Sequence, residues 1–493
     1  MVNAGKTERP NLIIVLADDL GYGDLACYGS KNIITPNLDK FAAEGLRLTH
    51  CYAAAANCSP ARTGMMTGRT PWRVGVHNWI PFMSPVHVRE SEITVATLLK
   101  NSGYATSLTG KWHLNGMFNL PGQPQPNDHG FDHWFAVQNN ALPNHKNPYN
   151  FVRNGIPMGP IEGYSADIVV DETIRWLRDV RDREKPFFTY VCFNEPHAIN
   201  MTAKKHTDLY KKIKNPAQRV YYGNITQLDS AFGRLMDELN RQKISHNTLV
   251  FFTSDNGPAG YGSSGPLRGG KSRLYEGGIR VPGILRWPGH IKPGSISDEP
   301  VSGVDVLPTF CEITGTVVPL DRKIDGSSFL PVFENKKIDR KTPLYWQLIR
   351  AYGEIKVAMR DGDWKLEARV RIPAELADKV IGKKKGEKGR PSDGLISDKK
   401  GWVTISKLPK IDDVRKVDME MYKVAELTGF ELYNLKEDVG ETKDLKEIET
   451  ARFAGMKDDL INLYREVREE SPTWPDWTWS RDEVKRMEWP IYK

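Results

Sequence analysis

The sequence predicts an α/β protein. We expect a large mixed, mostly parallel sheet sandwiched by helices, followed by a smaller C-terminal α+β domain with an antiparallel sheet. Continuous apolar runs rich in β-branched and aromatic residues recur as far as residue 254. Helical patterns lie between these runs, which is typical of a doubly wound sheet. Strand-like segments beyond residue 341 predict the antiparallel sheet.

Four apolar runs have the length and composition of buried parallel strands. They cover residues 12–17, 104–109, 187–193 and 249–254. The segments between them with apolar residues at helical spacing are residues 93–101, 168–181 and 222–241. Residues 284–288 and 304–310 are predicted to be the last strand and helix of this part of the chain.

A change in composition near residues 336–341 divides the chain into two predicted domains, residues 1–340 and 341–493. The C-terminal domain is predicted to contain strands at residues 344–346, 356–366 and 430–435 and a helix at residues 449–469. A Lys- and Gly-rich segment around residues 379–400 is predicted to be a solvated insertion. Contact with a polyanion is the alternative interpretation of that segment.

Composition excludes several classes of protein. At 493 residues the chain is too long for one ordinary core, and no apolar run approaches the length of a membrane span. Five cysteines do not make a disulfide scaffold at this length. The net charge of +7 suits an anionic substrate, but the dispersed basic residues and the lack of a recognition module argue against nucleic acid. The N-terminus has no apolar signal segment, which leaves a cytoplasmic protein or a mature form after export.

Each of the four predicted parallel strands leads into polar, ionisable residues. Asp18 and Asp19 follow the first strand directly, and the other three strands lead to Lys111 with His113, to His197, and to Asp255 with Asn256. Ligands of open α/β sheets bind outside the carboxyl ends of the strands. We therefore expect these residues to form one site.

The residue types predict the chemistry of that site. Asp18, Asp19, Asp255 and Asn256 offer only carboxylate and amide oxygens, which select Ca²⁺ or Mg²⁺ over zinc. An anionic ester beside such acids needs added positive charge, which Arg62, Lys111 and Lys271 can supply. His113 and His197 titrate near neutrality and can act as general acid or base.

Cys58-Ser59-Pro60-Ala61-Arg62, followed by Thr67-Gly68-Arg69, resembles the signature of the type I sulfatases of the alkaline-phosphatase-like superfamily. The resemblance extends from residue 10 to residue 328, and more loosely to residues 361–366 and 431–435. It implies that Cys58 is oxidised to formylglycine by a maturation enzyme. The hydrated aldehyde would attack sulfur, and its second hydroxyl would allow sulfate to leave.

The resemblance also implies a role for each residue. Asp18, Asp19, Asp255 and Asn256 would bind one Ca²⁺, rather than Mg²⁺, together with the modified Cys58. Arg62 would steady the formylglycine and the metal, while Lys111 and Lys271 would hold the sulfate. His197, with Lys271, would protonate the leaving alcohol, and His113 would be the base that drives sulfate elimination.

We therefore predict a periplasmic or extracellular sulfatase that cleaves a sulfate monoester from a carbohydrate. Loops at residues 77–79, 132–134 and 144–146 are candidates to line a sugar pocket, although a structural role is the simpler interpretation of each. A phosphonate monoester or phosphodiester hydrolase with the same modified cysteine is one alternative. A non-catalytic binder of sulfated glycans, with an unmodified Cys58, is the other.

Overall fold

The computed structural model describes residues 9–348, 355–381, 395–397, 401–405 and 415–477. Of the Lys-rich insertion predicted around residues 379–400, residues 382–394 and 398–400 lie outside the described residues. None of the described helices combines the length and the apolar character that a bilayer crossing requires.

The N-terminal part of the chain is built on one ten-stranded mixed sheet with the strand order β11-β2-β10-β9-β1-β8-β4-β5-β6-β7. A two-stranded ribbon joins β12 to β3. The strands are β1 (Asn11–Ala17), β2 (Leu46–Leu48), β3 (Cys51–Tyr52), β4 (Ala105–Lys111), β5 (His133–Val137), β6 (Val152–Arg153), β7 (Ile156–Pro157), β8 (Phe187–Cys192), β9 (Thr248–Ser254), β10 (Gly283–Arg286), β11 (Ser295–Ser297) and β12 (Val301–Ser302).

The centre of this sheet is parallel. Strands β9, β1, β8, β4 and β5 all run in the same direction, and β10 and β6 flank them in the antiparallel sense. In β1 the register pairs Leu16 with Cys192 of β8 and with Thr253 of β9. The carboxyl ends of the central strands therefore meet at one edge. The predicted mixed, mostly parallel sheet is confirmed.

Helices cover both faces of the sheet. The helices of the N-terminal part are α1 (Pro36–Ala43), α2 (Cys58–Thr67), α3 (Pro71–Val74), α4 (Val95–Asn101), α5 (Ser165–Arg175), α6 (Lys204–Thr207), α7 (Pro216–Arg241), α8 (Glu276–Ile279) and α9 (Val306–Thr314). The C-terminal part contains α10 (Ala374–Ile381), α11 (Lys416–Val424) and α12 (Thr450–Glu470). Alternate residues of β1 lie in two separate apolar cores, Ile14 on one side of the sheet and Val15 on the other. Burial on both faces explains the unbroken apolar run.

Some helix boundaries differ from the prediction. Helix α7 begins at Pro216, six residues before the predicted start, because the Asn215 side chain caps it by accepting the N–H groups of Ala217 (3.0 Å) and Gln218 (3.3 Å). Its first five residues are exposed or partly exposed and so show no apolar periodicity. Helix α5 ends at Arg175, and the predicted continuation is a π-helical turn over Trp176–Val180.

The C-terminal part contains a six-stranded antiparallel sheet, as predicted. Its strands are β13 (Leu344–Leu348), β14 (Lys356–Asp361), β15 (Trp364–Pro373), β16 (Leu395–Ser397), β17 (Trp402–Ile405) and β18 (Glu426–Asn434). Strand β15 pairs with β14, β17 and β18, and α12 packs against this sheet through buried Leu460 and Val467. The predicted boundary at residue 340 stays a prediction.

A buried ionic cluster attaches this second sheet to the first part of the chain. The Lys365 ammonium on β15 donates to Leu274 O (2.6 Å) and lies 2.7 Å from Glu441 and 3.3 Å from Glu276. All three charged side chains are fully buried. Leu274 and Glu276 follow Lys271 closely in the chain, so the cluster also anchors the loop that carries Lys271.

Candidate active site

The structure brings every residue predicted for the site to the carboxyl edge of the central strands. Asp18 and Asp19 follow β1, and Asp255 and Asn256 follow β9. Lys111 is the last residue of β4, two positions past the predicted end of that strand. The remaining members come from the segments after β4 and β8, from the first two turns of α2 and from the loop before α8: His113, His197, Cys58, Arg62 and Lys271.

Strand β4 reaches the edge because Gly110 precedes Lys111. Its φ is +101°, and a Cβ there would stand 1.7 Å from the carbonyl oxygen of Cys192 on β8. Only glycine permits that approach of the two backbones. The lysine is thereby held against the neighbouring strand and points its ammonium group into the site, where it lies 2.7 Å from Asp18 Oδ2.

The acidic residues converge on each other. The backbone N–H of Asp19 donates to Asp255 Oδ1 (3.2 Å), and the Asn256 amide donates to Asp19 Oδ1 (2.7 Å). Asp18 Oδ1 and Asn256 Oδ1 are buried and have no hydrogen-bond partner within the described residues. Buried polar oxygens are rarely left in this state. The donor set therefore fits a hard divalent cation.

Cys58 is the first residue of α2 and is 3% exposed. Its Sγ and one oxygen each of Asp18 and Asp255 lie within 4.8 Å of one another, and the same holds for Sγ with Asp19 and His197. Burial raises the pKa of the Cys58 thiol, although two nearby lysines oppose the effect. An unmodified Cys58 is therefore a neutral thiol near pH 7 and a weak nucleophile.

Arg62 lies one helical turn after Cys58, on the same face of α2. Its guanidinium donates twice to Asp255 Oδ2, at 3.0 and 2.8 Å, and once to the backbone oxygen of Lys111 at 3.0 Å. The side chain is fully buried. Arg62 thus connects α2 to the ends of β9 and β4 and fixes where the helix terminus lies relative to the acids.

Two lysines bring positive charge to the acids. The Lys271 ammonium lies 2.7 Å from Asp19 Oδ1, 2.8 Å from Asp19 Oδ2 and 3.6 Å from Cys58 Sγ. Lys111 makes the corresponding contact with Asp18. An anion bound beside Cys58 would face both ammonium groups.

Two acids of the site, Asp18 and Asp255, have pKa values shifted in opposite directions. Burial opposes ionisation of Asp18, but nearby positive charge, led by Lys111, lowers its pKa well below the usual range. Burial and the negative charge of Asp18 raise the pKa of Asp255 to about 7. Three cations, Arg62, Lys111 and Lys271, thus face three carboxyl groups, of which Asp255 is the most easily protonated.

The two histidines differ in environment. His113 has φ +59° and is fully buried, and its Nε2–H can donate to Ile80 O (3.0 Å). Its Nδ1 has no hydrogen-bond partner in the described part of the chain. Burial and the charge of Lys111 lower the pKa of His113 well below its usual value, so the imidazole is neutral. The neutral ring can accept a proton through Nδ1, and nearby negative charge on a bound anion would strengthen it as a base.

His197 lies nearer the solvent. Its side chain is 21% exposed, and its Nε2 stands 3.7 Å from Asp19 Oδ2. Nδ1 lies 2.6 Å from the carbonyl oxygen of Ala198, which favours a proton on that nitrogen. Its position suits a group that exchanges a proton with a departing alcohol.

Of the three loops predicted as candidate sugar contacts, most of the residues have structural roles, and one residue lies beside the site. His77 packs on Trp72, and His133 bonds Glu172 (2.9 Å), so both have structural partners. In the third loop His145 is buried, with Nδ1 3.7 Å from Glu195. Trp79 is different, because it is partly exposed and its ring centre lies 6.5 Å from that of His113.

Two buried acids that support the site were not singled out from the sequence. Asp24 accepts the N–H groups of Gly21 and Ser263, both at 2.8 Å, and so joins the loop after β1 to the glycine-rich loop before Lys271. Glu195 accepts the Ala166 N–H (2.9 Å) and anchors the turn that leads to His197. The only signal was the position of each acid in a loop at the end of a strand.

A family profile described as Sulfatase matches residues 10–316, more than half of the chain. The chain belongs to the sulfatase family. A second profile, described as N-sulphoglucosamine sulphohydrolase, C-terminal, matches residues 270–366. The predicted membership of the sulfatases, within the alkaline-phosphatase-like superfamily, is confirmed, and this sulfatase is a sulfuric ester hydrolase.

Individual proteins agree with this assignment. This sulfatase is 34% identical over 379 residues to N-acetylgalactosamine-6-sulfatase of Sus scrofa, across 70% of this chain and 69% of the relative. The crystal structure of Ps i-CgsB in complex with k-i-k-neocarrahexaose aligns with a TM-score of 0.76 at 25% identity, over 97% of this chain and 96% of that chain. A phosphonate monoester hydrolase of Agrobacterium radiobacter shares the fold, with a TM-score of 0.59 and 18% identity over 93% and 96% of the two chains. The fold alone therefore does not separate sulfate from phosphonate esters.

Proposed function

We propose that this sulfatase removes a sulfate group from a carbohydrate, using a formylglycine made from Cys58 and one bound Ca²⁺. The observation that carries the proposal is the position of Cys58. Its sulfur lies at a helix N-terminus, within reach of Asp18, Asp255 and the Lys271 ammonium. An oxygen nucleophile formed at this atom would face both a metal and a cation that holds an anion.

The proposed metal ligands are the side chains of Asp18, Asp19, Asp255 and Asn256 with the modified Cys58. Only oxygens would then contact the ion, and two of them accept no hydrogen bond from the residues that the structure describes. Hard oxygen donors in this number favour Ca²⁺ over the strictly octahedral Mg²⁺. Together, the ion and the formylglycine would supply a hydrated aldehyde whose metal-polarised hydroxyl attacks sulfur and whose second hydroxyl allows sulfate to leave.

The other side chains have proposed roles in binding charge and moving protons. Lys111 and Lys271 hold the sulfate oxygens, and Arg62 fixes the position of α2 relative to Asp255. His197, at the solvent side with Lys271 beside it, protonates the alcohol that departs. His113 accepts a proton through Nδ1 during release of sulfate, because Nε2 is committed to Ile80.

The carbohydrate part of the proposal has two supports. N-acetylgalactosamine-6-sulfatase is named for a sugar sulfate, and i-CgsB was crystallised with a neocarrahexaose. Trp79 presents a partly exposed indole beside His113, a surface on which a sugar ring can stack. Action in the periplasm or outside the cell, and maturation by a formylglycine-generating enzyme, belong to the same proposal.

The first test concerns Cys58 itself. Mass spectrometry of the native peptide should show a residue that has lost SH and H and gained a carbonyl oxygen. Cys58→Ala should lose turnover by at least 10³-fold while keeping the fold, since the nucleophile is gone. A native thiol in every molecule would contradict the proposal and favour a non-catalytic binder of sulfated glycans.

The second test separates sulfate from phosphorus chemistry. We expect kcat/KM for an aryl sulfate to exceed that for an aryl phosphonate and an aryl phosphodiester. A screen of defined sulfated mono- and oligosaccharides then identifies the sugar and the sulfated position. A clear preference for phosphonate or phosphodiester would favour the alternative hydrolase.

A further inference from the structure

A cleft in the C-terminal part of the chain has a volume of about 530 Å³ and is lined by an excess of basic side chains. Its walls come from α12, from the end of α11 and from β15 and β18. The charged residues that line it are Arg371, Lys423, Glu426, Lys457, Arg465 and Arg468. Five cations thus face a single acid, which leaves four positive charges in excess. The volume is in the range of sites for small organic ligands.

One face of α12 supplies most of this surface. Lys457, Ile461, Tyr464, Arg465 and Arg468 follow each other at helical spacing and all line the cleft. The glutamates of α12 that bind the catalytic part of the chain are elsewhere on the helix. Glu466 and Glu470 pair with Arg73, and Glu470 also pairs with Arg69.

Four of the five cations have no ion-pair partner among the residues that the structure describes. Glu426 pairs with Arg371 at 2.7 Å. The Lys423 ammonium donates only to carbonyl oxygens, those of Arg468 (2.8 Å) and Ser471 (2.7 Å). Burial, followed by the positive charge of Arg468, lowers the pKa of Lys423, while the negative charge of Glu469 acts in the opposite direction.

The cleft also offers apolar surface. Lys457 lies 5.5 Å from the ring centre of Phe430, and Arg468 lies 5.5 Å from that of Tyr464. Both rings line the cleft, and Phe430 is partly exposed. A ligand with anionic groups on an otherwise compact, partly apolar body suits such a lining. Guanidinium groups in particular bind tetrahedral oxyanions with two hydrogen bonds.

We propose that this basic cleft binds a sulfated stretch of the carbohydrate chain, as a second site separate from the catalytic residues. The inference rests on the proposed function for the chemistry of the ligand. No hydrogen bond or ion pair joins the lining residues to the predicted site residues within the described ranges. Each sulfate group held there displaces solvent ions, so binding weakens as salt is added. The cleft would hold one part of the sulfated polymer while other sugar units of the same polymer reach the catalytic edge of the sheet.

Its concave shape favours a sugar over other polyanions. Single-stranded nucleic acid is bound by several aromatic faces on which successive bases stack, whereas of the two aromatic rings that line this cleft Phe430 is partly exposed and Tyr464 is buried. An anionic membrane is bound by surface that projects outward, and a cleft cannot meet it. These two ligands are therefore the alternatives that the experiment must compare.

The test uses the full chain in a Cys58→Ala background, so that the probe is bound and not cleaved. Calorimetry at 0.15 M salt measures the affinity for dextran sulfate. Three proteins are compared: the parent, the cleft variant Lys457→Ala/Arg465→Ala, and the matched control Lys31→Ala/Lys337→Ala. The control removes the same charge from two exposed positions elsewhere. Removing two charge-assisted contacts should weaken binding by about tenfold or more, and the control should change it less than about twofold. Circular dichroism checks folding, and Lys457→Arg/Arg465→Lys should retain affinity.

Activity gives an independent readout with Cys58 intact. The cleft variant should keep its kcat/KM for a small aryl sulfate and lose about fivefold on a sulfated polysaccharide substrate. Equal affinity of the cleft variant and its control for dextran sulfate would overturn the proposal. Stronger binding of single-stranded DNA or of phosphatidylserine vesicles than of dextran sulfate, through the same residues, would also overturn the proposal. Binding of dextran sulfate that depends on the cleft residues, without any sulfate turnover, would refute the proposed function but would support the proposed binding site.

Discussion

The ammonium group of Lys271 lies 3.6 Å from the sulfur of Cys58. The two residues are more than 200 positions apart in the chain, and Asp19 holds the lysine in place through both carboxylate oxygens. An anion that reacts at Cys58 would therefore meet a cation whose position is already determined. Such preorganised charge is the largest single contribution in many active sites.

Lys271→Met should lower kcat/KM for an aryl sulfate by about 10² to 10³-fold, the usual effect of removing one group that stabilises developing charge. Lys204→Met is the matched control, because Lys204 pairs with Asp208 at an exposed site. Steady-state kinetics of both purified variants make the comparison. Equal activity of the two variants would contradict a role for Lys271 in holding sulfate.

His197→Ala should slow esters of poorly leaving alcohols by about 10²-fold or more, and esters of activated phenols much less. The reason is that an activated phenolate departs without a proton. Plotting log kcat/KM against the pKa of the leaving group, for parent and variant, measures the effect. Parallel lines for the two proteins would contradict a role as general acid.

Metal removal should affect both activity and stability. Chelation should abolish turnover, and Ca²⁺ should restore it better than Mg²⁺. A ligand at 100 times its Kd stabilises the folded state by about 2.7 kcal/mol, so the thermal midpoint should rise when Ca²⁺ is returned. Asp255→Asn removes a ligand charge and should reduce that rise. A thermal midpoint that does not respond to Ca²⁺ would count against the site.

Lys365→Met should destabilise the protein by about 3 to 5 kcal/mol, because it leaves Glu441 buried without its cation and leaves Glu276 with Arg280 alone as an ion-pair partner among the described residues. The denaturant midpoint measures the loss. The double variant Lys365→Met/Glu441→Gln should recover part of it, since one unpaired charge is removed as well. No recovery in the double variant would mean that the loss comes from the bond to Leu274 O.

The pH dependence of stability should include a contribution from His129, which is 1% exposed. Burial lowers the pKa of His129 to about 4. In the unfolded chain this histidine binds a proton below about pH 6.5, whereas in the folded chain it stays neutral down to about pH 4. The free energy of unfolding therefore falls as the pH drops from 6.5 to 4, by about 3 kcal/mol from this group. His129→Phe should remove that part of the slope in pH-dependent unfolding curves, and an unchanged slope would contradict it.

The predictable part of the protein follows from local patterns. The apolar run of β1 is unbroken because both of its faces are buried, and that burial is visible in the residue types themselves. The Cys58 to Arg62 motif is a contiguous stretch, so the family could be recognised from it. Boundaries such as the start of α7 were harder, because its first turn is mostly exposed and depends on the Asn215 cap.

Asp24 and Glu195 escaped prediction for a physical reason. Each acts through partners far along the chain, Asp24 through Ser263 and Glu195 through Ala166. An acid in a loop is usually solvated, and only its burial against those partners distinguishes it. The basic cleft could not be predicted for the same reason, because its cations come from β15, α11 and α12 and lie together only in the folded protein.

The sequence by itself determined the fold class, the family and the types of residue in the site, because strand burial and a contiguous motif are local properties. Tertiary structure decided which atoms meet. It placed Lys271 beside Cys58, and among the described residues it left Asp18 Oδ1, Asn256 Oδ1 and His113 Nδ1 without a hydrogen-bond partner. Those relationships join residues from separate strands and loops, and the distances between them exist only once the parallel strands are aligned in the sheet.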